Sequence, residues 1–325
     1  MDDMRTKPTW STMLHIGPAT FLKAPEIPPI AKDLRDYGAR AAVHGIPWDH
    51  CAIYRAGSSL GPKALRDASA QFISYHFEYD YDLMETYRLV DCGDTPVVLG
   101  NAAKTLEIAS QNIIQILNAR ALPVVLGGNH LITVAGTTAL SQHASGKCGF
   151  IMLDTHLDTA MDIGGEKLTH CSPVARTMEL EKFDPKKSVI IGASGSMNPR
   201  EEKEYVDKHG ITSLTLRDVV SQGIEHVAKR AVEIAHDGTE AVYLSVDVDV
   251  LDGAYAPGTG TPTPGGMTSR ELLKAINIIA SSGIDAIDVV EVAPQYDISG
   301  ITALVGCRVI LDALASNAPN VQLTR

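Results

Sequence analysis

The sequence has few cysteines, few aromatic residues and no excess of positive charge. Its 325 residues include five cysteines, an odd and widely scattered set without a C-x-x-C pair. This argues against a disulfide scaffold and against a cysteine zinc site. Lys and Arg number 28 against 39 Asp and Glu, a formal net charge of −11, whereas nucleic-acid or anionic-membrane partners require clustered basic residues. What remains is ordinary globular composition, with 45% hydrophobic and 21% charged residues.

We also find no pattern of a signal peptide or of a membrane span in the sequence. The first residues, MDDMRTKPTW, lack the basic-then-apolar order of a signal peptide. We see no uninterrupted apolar run near the roughly 20 residues that a membrane span needs. These features predict a cytoplasmic protein in a reducing compartment. A chain of this length buries enough surface to fold without disulfides.

Short apolar runs alternate with helical patterns along the chain. The runs are rich in Val and Ile and lie at 41–46, 121–126, 149–153, 188–191, 241–246 and 286–292. The helical patterns lie at 105–120, 223–236, 269–282 and 299–315. This alternation predicts a doubly wound α/β fold whose parallel sheet is covered on both faces. Irregularly spaced prolines predict an N-terminal arm or cap over 1–35, followed by a single domain over 36–325.

Acidic and imidazole side chains directly follow four of these runs. GGNH ends at His130, DTHLD begins at Asp154, DVDVLD begins at Asp247, and Glu291 follows the last run. In open parallel sheets the carboxyl ends of the strands meet at one edge, where binding sites form. We therefore expect these side chains to gather at one edge of the sheet.

The spacing within two motifs sharpens this expectation. Asp154, His156 and Asp158 alternate along the chain, as do Asp247 and Asp249, so each set points to one face of an extended strand. Clustered carboxylates repel and dehydrate each other unless cations neutralise them. Oxygen and imidazole ligands suit Mn²⁺, Ni²⁺, Fe²⁺ or Zn²⁺ rather than Ca²⁺. With His130 there are six candidate ligands, enough for two metal ions roughly 3.5–4 Å apart.

Structural roles are the alternative for each motif taken singly. D-x-D and D-x-H-x-D sequences are common in turns and on surfaces, and His130 after two glycines could be a turn histidine. Their joint occurrence at the ends of four apolar runs favours a metal site.

Together the motifs resemble the ureohydrolase family of arginases and agmatinases. The segments that carry the resemblance are GGNH at 127–130, DTHLD at 154–158, SVDVDVLD at 245–252 and VEVAPQYD at 290–297. Four further segments resemble the agmatinase branch: GIPWD at 45–49, YRAGSSLGP at 54–62, CGDTP at 92–96 and APGTGTPTPGGMTSREL at 256–272. The resemblance covers about residues 40 to 315. It implies an arginase-like three-layer α/β/α sandwich with a mostly parallel central sheet.

The resemblance also implies how the ligands divide between two ions. The first ion would be held by His130, Asp154, Asp158 and Asp247, and the second by Asp154, His156, Asp247 and Asp249. A hydroxide bridging the ions would attack the carbon of a guanidino group and release urea and an amine. The implied cofactors are two divalent ions, Mn²⁺ first and Ni²⁺ as the alternative.

Three residues match catalytic positions of the family. Glu291 matches the carboxylate that grips the guanidinium nitrogens, and His170, in LTHCSP, matches the histidine that passes protons to the leaving amine. Asp158 counts with them as a catalytic residue as well as a ligand. A strand-end salt bridge is the structural alternative for Glu291, and an ordinary loop histidine is the alternative for His170.

Substrate, assembly and function class stay open at this point. The resemblance implies a small cationic guanidino substrate, which could be agmatine, a guanidino acid or a guanidine-type compound. It implies a homotrimer or homohexamer, with a hetero-oligomer containing a paralogue as the alternative. The other candidates are a non-catalytic partner subunit of an active ureohydrolase and a deacetylase-type amide hydrolase on the same fold.

The chain departs from the family pattern at several positions beside the motifs. Asn129 replaces the Asp of GGDH, Thr155 the Ala of DAH, and Cys171 the Gly of HGT. Ser59 stands where an arginine is common, and IGAS at 191–194 stands where the family has a G-x-R segment. None of them is a ligand, so we expect the departures to lie at the pocket rim and to bear on the substrate's tail.

Overall fold

A computed structural model describes residues 19–323. Its strands are Ala41–Ile46 (β1), Tyr75–His76 (β2), Tyr81–Asp82 (β3), Val90–Asp94 (β4), Leu122–Gly127 (β5), Cys148–Leu153 (β6), Phe183–Ile191 (β7), Thr212–Leu214 (β8), Ala241–Asp247 (β9) and Ala286–Val290 (β10). Its helices are Ala31–Tyr37 (α1), Gly61–Ser69 (α2), Leu83–Tyr87 (α3), Ala102–Asn118 (α4), Thr133–His143 (α5), Pro173–Met178 (α6), Arg200–His209 (α7), Leu216–Gln222 (α8), Ile224–Ala235 (α9), Ser269–Ser281 (α10) and Ile301–Leu323 (α11).

Eight strands form one sheet in the order β4-β1-β5-β10-β9-β6-β7-β8, and every neighbouring pair is parallel. The short strands β2 and β3 form a separate antiparallel pair. Successive strand residues alternate between two apolar clusters, one on each face of the sheet. Helices α2, α3 and α8 to α11 cover one face, and α1 and α4 to α7 cover the other. The predicted three-layer α/β/α architecture is therefore confirmed.

The predicted internal elements are present with small shifts at their ends. Helix α10 begins where its capping pattern indicates: the Thr268 side chain accepts a hydrogen bond from the Glu271 N–H at 3.2 Å. The Glu271 carboxylate in turn accepts one from the Thr268 N–H at 2.8 Å. This reciprocal pair satisfies donors that the first helical turn leaves free.

The two edge strands of the sheet, β4 and β8, were not among the predicted strands. The sequence of β4, VDCGD, is acidic and contains glycine, and β8 has only three residues. Neither gives the apolar signal of a strand buried on both faces.

The N-terminal arm or cap predicted over 1–35 lies partly outside the described residues, which begin at 19. Phe21 and Leu22 are fully buried in the apolar cluster that covers one face of the sheet. Their backbone N–H groups donate to Asp91 Oδ2 at 2.8 Å and to Ser69 Oγ at 2.9 Å. This stretch is fastened to α2 and β4.

Helix α11 is apolar over most of its length. Its stretch Ile301–Val321 is long and apolar enough, by length and composition alone, to cross a membrane. In the fold, 83% of the most apolar window is buried, and the helix packs against α2 and α10. The burial accounts for the apolar composition, since core helices are apolar around much of their circumference.

The four central strands of the sheet, β5, β10, β9 and β6, carry the sequence motifs at their carboxyl ends. The register pairs Leu153 with Val246 and Val290 with Asp247. The residues that follow these strands therefore emerge at nearly the same level of the sheet edge.

Candidate metal centre and active site

The chain leaves β5 through two glycines, of which Gly127 lies against β10 and Gly128 against the loop after β1. A Cβ atom on Gly128 would collide with the Trp48 carbonyl oxygen. The Gly128 carbonyl accepts a hydrogen bond from the Glu291 N–H at 2.9 Å, which ties the ends of β5 and β10 together. The next turn, a 3₁₀ turn over His130–Ile132, places His130 at the sheet edge.

His130 lies among three carboxylates. Its Nδ1 atom is 2.9 Å from Asp154 Oδ2, 3.0 Å from Asp158 Oδ2 and 3.1 Å from Asp247 Oδ2. All four side chains are nearly fully buried. This group brings together the four predicted ligands of the first ion.

The proton on the His130 ring is directed away from these carboxylates. Its Nε2 atom is 3.0 Å from Ser245 Oγ, and the Ser245 hydroxyl donates to Asp288 Oδ1 at 2.6 Å. Because the Ser245 hydroxyl donates its hydrogen bond to Asp288, Ser245 Oγ accepts a hydrogen bond from the Nε2–H of His130. The Nδ1 atom of His130 therefore carries a lone pair, which faces the carboxylates. Neither His130 Nδ1 nor Asp154 Oδ2 hydrogen-bonds to any residue of 19–323. A divalent cation between these atoms would satisfy both, so the residues fit a metal ion.

A second group shares Asp154 with the first. His156 Nδ1 is 3.3 Å from Asp154 Oδ1 and 3.1 Å from Asp249 Oδ2. The Asp249 N–H donates to Asp247 Oδ1 at 2.8 Å, and the Thr261 hydroxyl donates to Asp249 Oδ2 at 2.9 Å. The ligand atoms of His156, Asp154 and Asp249 lie within 4.8 Å of one another, as do those of His130, Asp154 and Asp247. The two groups form adjoining candidate metal sites.

The electrostatics of the cluster favour a bound cation. Burial holds the pKa of Asp247 well above its ordinary value, and the charges of Asp249 and Asp154 add to this effect. Burial raises the pKa of Asp249 to about 6, although His156 opposes the shift. Burial lowers the pKa of His130, but the adjoining carboxylates of Asp154, Asp158 and Asp247 outweigh it and hold that pKa well above its ordinary value. Protons therefore occupy part of the cluster unless a cation replaces them.

A cavity of about 330 Å³ opens over both groups. Glu291 and His170 face each other in it, with His170 Nδ1 3.5 Å from Glu291 Oε1. The His130 N–H donates to Glu291 Oε1 at 2.8 Å, and the Ile53 N–H donates to His170 Nε2 at 3.1 Å. The backbone thus holds both side chains beside the candidate metal groups.

Two residues of the site have left-handed backbone conformations. Asp158 has a φ of 50° and Glu291 a φ of 63°. Such a conformation costs roughly 1–2 kcal/mol for a residue other than glycine. Strain of this kind is concentrated at functional sites, where surrounding contacts maintain it. Both of these residues, Asp158 and Glu291, line the cavity.

Three residues of the site carry no clear signal in the sequence. Asp288, inside β10, is fully buried and accepts hydrogen bonds from the hydroxyls of Tyr243, Thr133 and Ser245. An acidic residue within an apolar run is the one signal that could have pointed to it.

Asn198 and Glu202 support the loop after β6. Asn198 accepts from the Leu157 N–H at 2.8 Å and donates to the Thr155 carbonyl at 3.0 Å. Glu202 accepts from the Thr159 N–H at 3.1 Å, and burial raises its pKa to about 7. Both lie in polar stretches that look like ordinary surface sequence.

Among the departures from the family pattern, Cys171 lines the cavity. Asn129 is fully buried and donates to the His50 carbonyl at 3.0 Å, a bond that a carboxylate could not form. The hydroxyl of Thr155 is 2.9 Å from that of Ser194. The Ser59 hydroxyl donates to Asp49 Oδ2 at 2.9 Å. The expectation that all these positions lie at the rim is wrong, because Cys171 is the one among them that lines the cavity.

Comparison with known proteins agrees with this geometry. The chain matches the arginase family over residues 39–316. It is 33% identical over 271 residues to guanidinopropionase from Pseudomonas aeruginosa, covering 83% of this chain and 84% of that protein. It is 33% identical over 278 residues to agmatinase from Bacillus cereus, covering 85% of this chain and 91% of that protein.

A solved structure shows the same fold. Proclavaminate amidino hydrolase from Streptomyces clavuligerus aligns with a TM-score of 0.80 at 29% identity, covering 93% of this chain and 99% of that chain. Fold and relatives together define an enzyme of the ureohydrolase class. The chain belongs to the arginase family.

Proposed function

We propose that the protein is a binuclear metal-dependent hydrolase that cleaves a guanidino compound into urea and an amine. The observation that carries this proposal is the sharing of Asp154 between two imidazole–carboxylate groups that open into the same cavity as Glu291 and His170. The names of the relatives, guanidinopropionase and agmatinase, support a guanidino substrate. The family match over 39–316 supports one catalytic domain over 36–325.

The proposed ligands follow the two groups in the cluster. His130, Asp154, Asp158 and Asp247 would hold one ion, and Asp154, His156, Asp247 and Asp249 the other. Two bound divalent ions supply Lewis acidity, which lowers the pKa of water toward neutrality. The mixed oxygen and imidazole donors suit Mn²⁺, with Ni²⁺ as the alternative.

Glu291 is proposed to bind the guanidinium group. Its carboxylate is fixed by the His130 N–H and faces the cavity. A carboxylate accepts charge-assisted hydrogen bonds from a planar guanidinium with well-matched geometry. Bound in this way, the guanidinium carbon lies between Glu291 and the metal groups, where water can reach it.

His170 and Asp158 are proposed to move protons. Hydrolysis adds water to the guanidinium carbon, breaks the bond to the substituted nitrogen, and requires a proton on the departing amine. The Ile53 N–H occupies the lone pair of His170 Nε2, so the transferable proton sits on Nδ1, toward the cavity. Asp158 lines the same cavity, and in this proposal it accepts a proton from the attacking water.

The direct test is urea release from purified protein loaded with Mn²⁺ or Ni²⁺ in parallel. The panel includes agmatine, 4-guanidinobutanoate, guanidine and N-butylguanidine, and we measure both urea and the released amine, which is ammonia in the case of guanidine. We expect one urea for each amine released. A protein that holds two ions per chain and releases urea from no member of the panel refutes the proposal.

The variant Glu291→Gln tests the role of the carboxylate. Glutamine keeps an oxygen that accepts the His130 N–H but loses the charge that pairs with guanidinium. We expect the metal content to stay at the wild-type value while kcat/KM falls by at least about 100-fold. Metal analysis and urea release measure the two quantities. Wild-type kinetics in this variant would leave Glu291 with a structural role only.

A further inference from the structure

Two chemically unlike sets of side chains line the cavity. One set consists of Glu291, His170, Thr261 and four of the candidate ligands, His156, Asp158, Asp247 and Asp249. The other set, which we call the tail pocket, consists of four uncharged side chains: Ile53, Tyr54, Cys171 and Met197. We infer that the tail pocket selects a guanidine carrying an uncharged, apolar substituent, an N-alkylguanidine. This inference rests on the proposed function and specifies its substrate class.

Three side chains of the tail pocket are unusually exposed for apolar groups. The exposed fraction is 60% for Ile53, 74% for Tyr54 and 50% for Met197. Exposed apolar side chains grouped beside a cavity typically mark a surface that an apolar ligand covers. Burial raises the pKa of the fourth, Cys171, so its sulfur is an uncharged thiol.

A charged tail finds no partner in the tail pocket. Across residues 19–323, no Lys or Arg lines the cavity, and every carboxylate that does is Glu291 or a candidate ligand. An ammonium or carboxylate placed against the tail pocket would lose water without gaining a counter-ion, which is unfavourable.

The nearest arginine in sequence, Arg55, is already engaged. Its Nη2 donates to the Thr259 carbonyl at 2.7 Å and its Nε donates to the Gly260 carbonyl at 3.2 Å. Its guanidinium lies 4.3 Å from the centre of the Tyr296 ring. These contacts hold Arg55 against the 259–260 loop and the Tyr296 ring, so it does not serve as an anchor for a substrate carboxylate.

The acidic residues of the adjacent loop are likewise committed to local backbone. Asp162 Oδ1 accepts from the Gly165 N–H at 3.0 Å, and Glu166 Oε1 accepts from the Leu168 N–H at 2.8 Å. Neither side chain lines the cavity. They therefore do not form an ammonium site for a diamine-like tail.

The size of the cavity favours a substituted guanidine over guanidine itself. A guanidinium held by Glu291 contacts only the polar set and leaves the tail pocket filled with water. An alkyl group on the departing nitrogen would displace that water from apolar surface, which is favourable. The reaction would consume one water, break the bond between the central carbon and the alkylated nitrogen, and release urea and a protonated alkylamine.

Three substrates of equal chain length separate tail charge from tail size. N-butylguanidine has an uncharged end, agmatine a cationic end and 4-guanidinobutanoate an anionic end. With metal-loaded wild-type protein, we expect kcat/KM for N-butylguanidine to exceed that of each charged compound by about tenfold or more. Calorimetric binding of the three product amines should give the same order. A charged member that equals or exceeds N-butylguanidine overturns this inference alone. Urea release from no member overturns the proposed function as well.

A matched pair of methionine variants tests the location of the selectivity. Met197 lines the tail pocket and is 50% exposed, while Met161 lies outside the cavity lining and is 49% exposed. We expect Met197→Glu to shift the ratio of kcat/KM values about tenfold toward agmatine, because it supplies the missing counter-ion. Met161→Glu should leave the ratio unchanged. Equal shifts in both variants, or a shift in neither, would overturn the assignment of selectivity to the tail pocket.

Discussion

Asp247 combines two tasks in one carboxylate. It is the last residue of β9, and its Oδ2 lies 3.1 Å from His130 Nδ1. Its Oδ1 accepts the N–H of Asp249 and so orients the next candidate ligand. Loss of this side chain would remove a candidate ligand and also free the backbone N–H that orients Asp249.

We predict that Asp247→Ala abolishes the binding of at least one metal ion per chain. The variant should nevertheless be at least as stable as the wild type when both are metal-free, because burial and neighbouring carboxylates make Asp247 costly to keep charged. Metal analysis and thermal unfolding measure the two effects. Asp252→Ala is the control, since Asp252 accepts hydrogen bonds from Ala254 and Gly265 outside the cluster. An Asp247→Ala protein with both ions would refute the assignment.

The motifs predicted which polar residues gather at the sheet edge, because each follows an apolar run. They could not predict Asp288, Asn198 or Glu202. The bonding partners of Asn198 and Glu202 belong to the loop after β6, some forty residues away in sequence. Asp288 accepts hydrogen bonds from Tyr243 and Ser245 of β9 and from Thr133 of α5. Contacts of this kind are set by tertiary structure.

At the level of elements, the turn after β5 fixes the position of His130 by packing closely against a neighbouring segment of backbone. Gly128 lets the chain pass against the Trp48 backbone, and the turn that follows brings His130 to the cluster. Any side chain at Gly128 must push these segments apart.

We therefore expect Gly128→Ala to lower the free energy of unfolding by about 2 kcal/mol or more, since overpacking forces backbone shifts. Thermal unfolding of metal-free protein measures the change. Gly253→Ala is the matched control, because a Cβ there meets only Pro262 Cβ at 3.8 Å, an ordinary contact. Equal stability of the two variants would show that the turn tolerates a side chain.

The sequence predicted the interior strands of the sheet but not its two edge strands. The six predicted runs all lie in interior strands, where burial on both faces demands continuous apolar sequence. The edge strands β4 and β8 pair on one side only and carry polar residues. The order of strands could not be derived from the alternation either, because it depends on the paths of the connecting helices.

For the molecule as a whole, one buried histidine ties stability to pH. His44, in β1, is fully buried, with Nε2 2.7 Å from Thr95 Oγ1. Burial lowers the pKa of His44 to about 4, although Asp94 opposes the shift. The folded protein therefore keeps His44 neutral at pH values where the unfolded chain binds a proton.

We predict that this residue makes the protein lose stability as the pH falls from about 6.5 to 4. Its contribution is complete above the unfolded pKa and decreases by about 3 kcal/mol over that interval. Unfolding measured across this range for the wild type and His44→Gln isolates the effect, because other titrating groups are common to both. Identical pH profiles would contradict the prediction.

The division of the cavity lining into two sets of side chains also bears on how such enzymes diversify. The residues proposed for the reaction are joined to four central strands and to each other, so few of them can change alone. The tail pocket, in contrast, is supplied by loop residues at 53–54, 171 and 197, none of which is a candidate ligand. Substitutions in those loops can redirect the enzyme to a new substrate while the hydrolytic machinery is inherited intact.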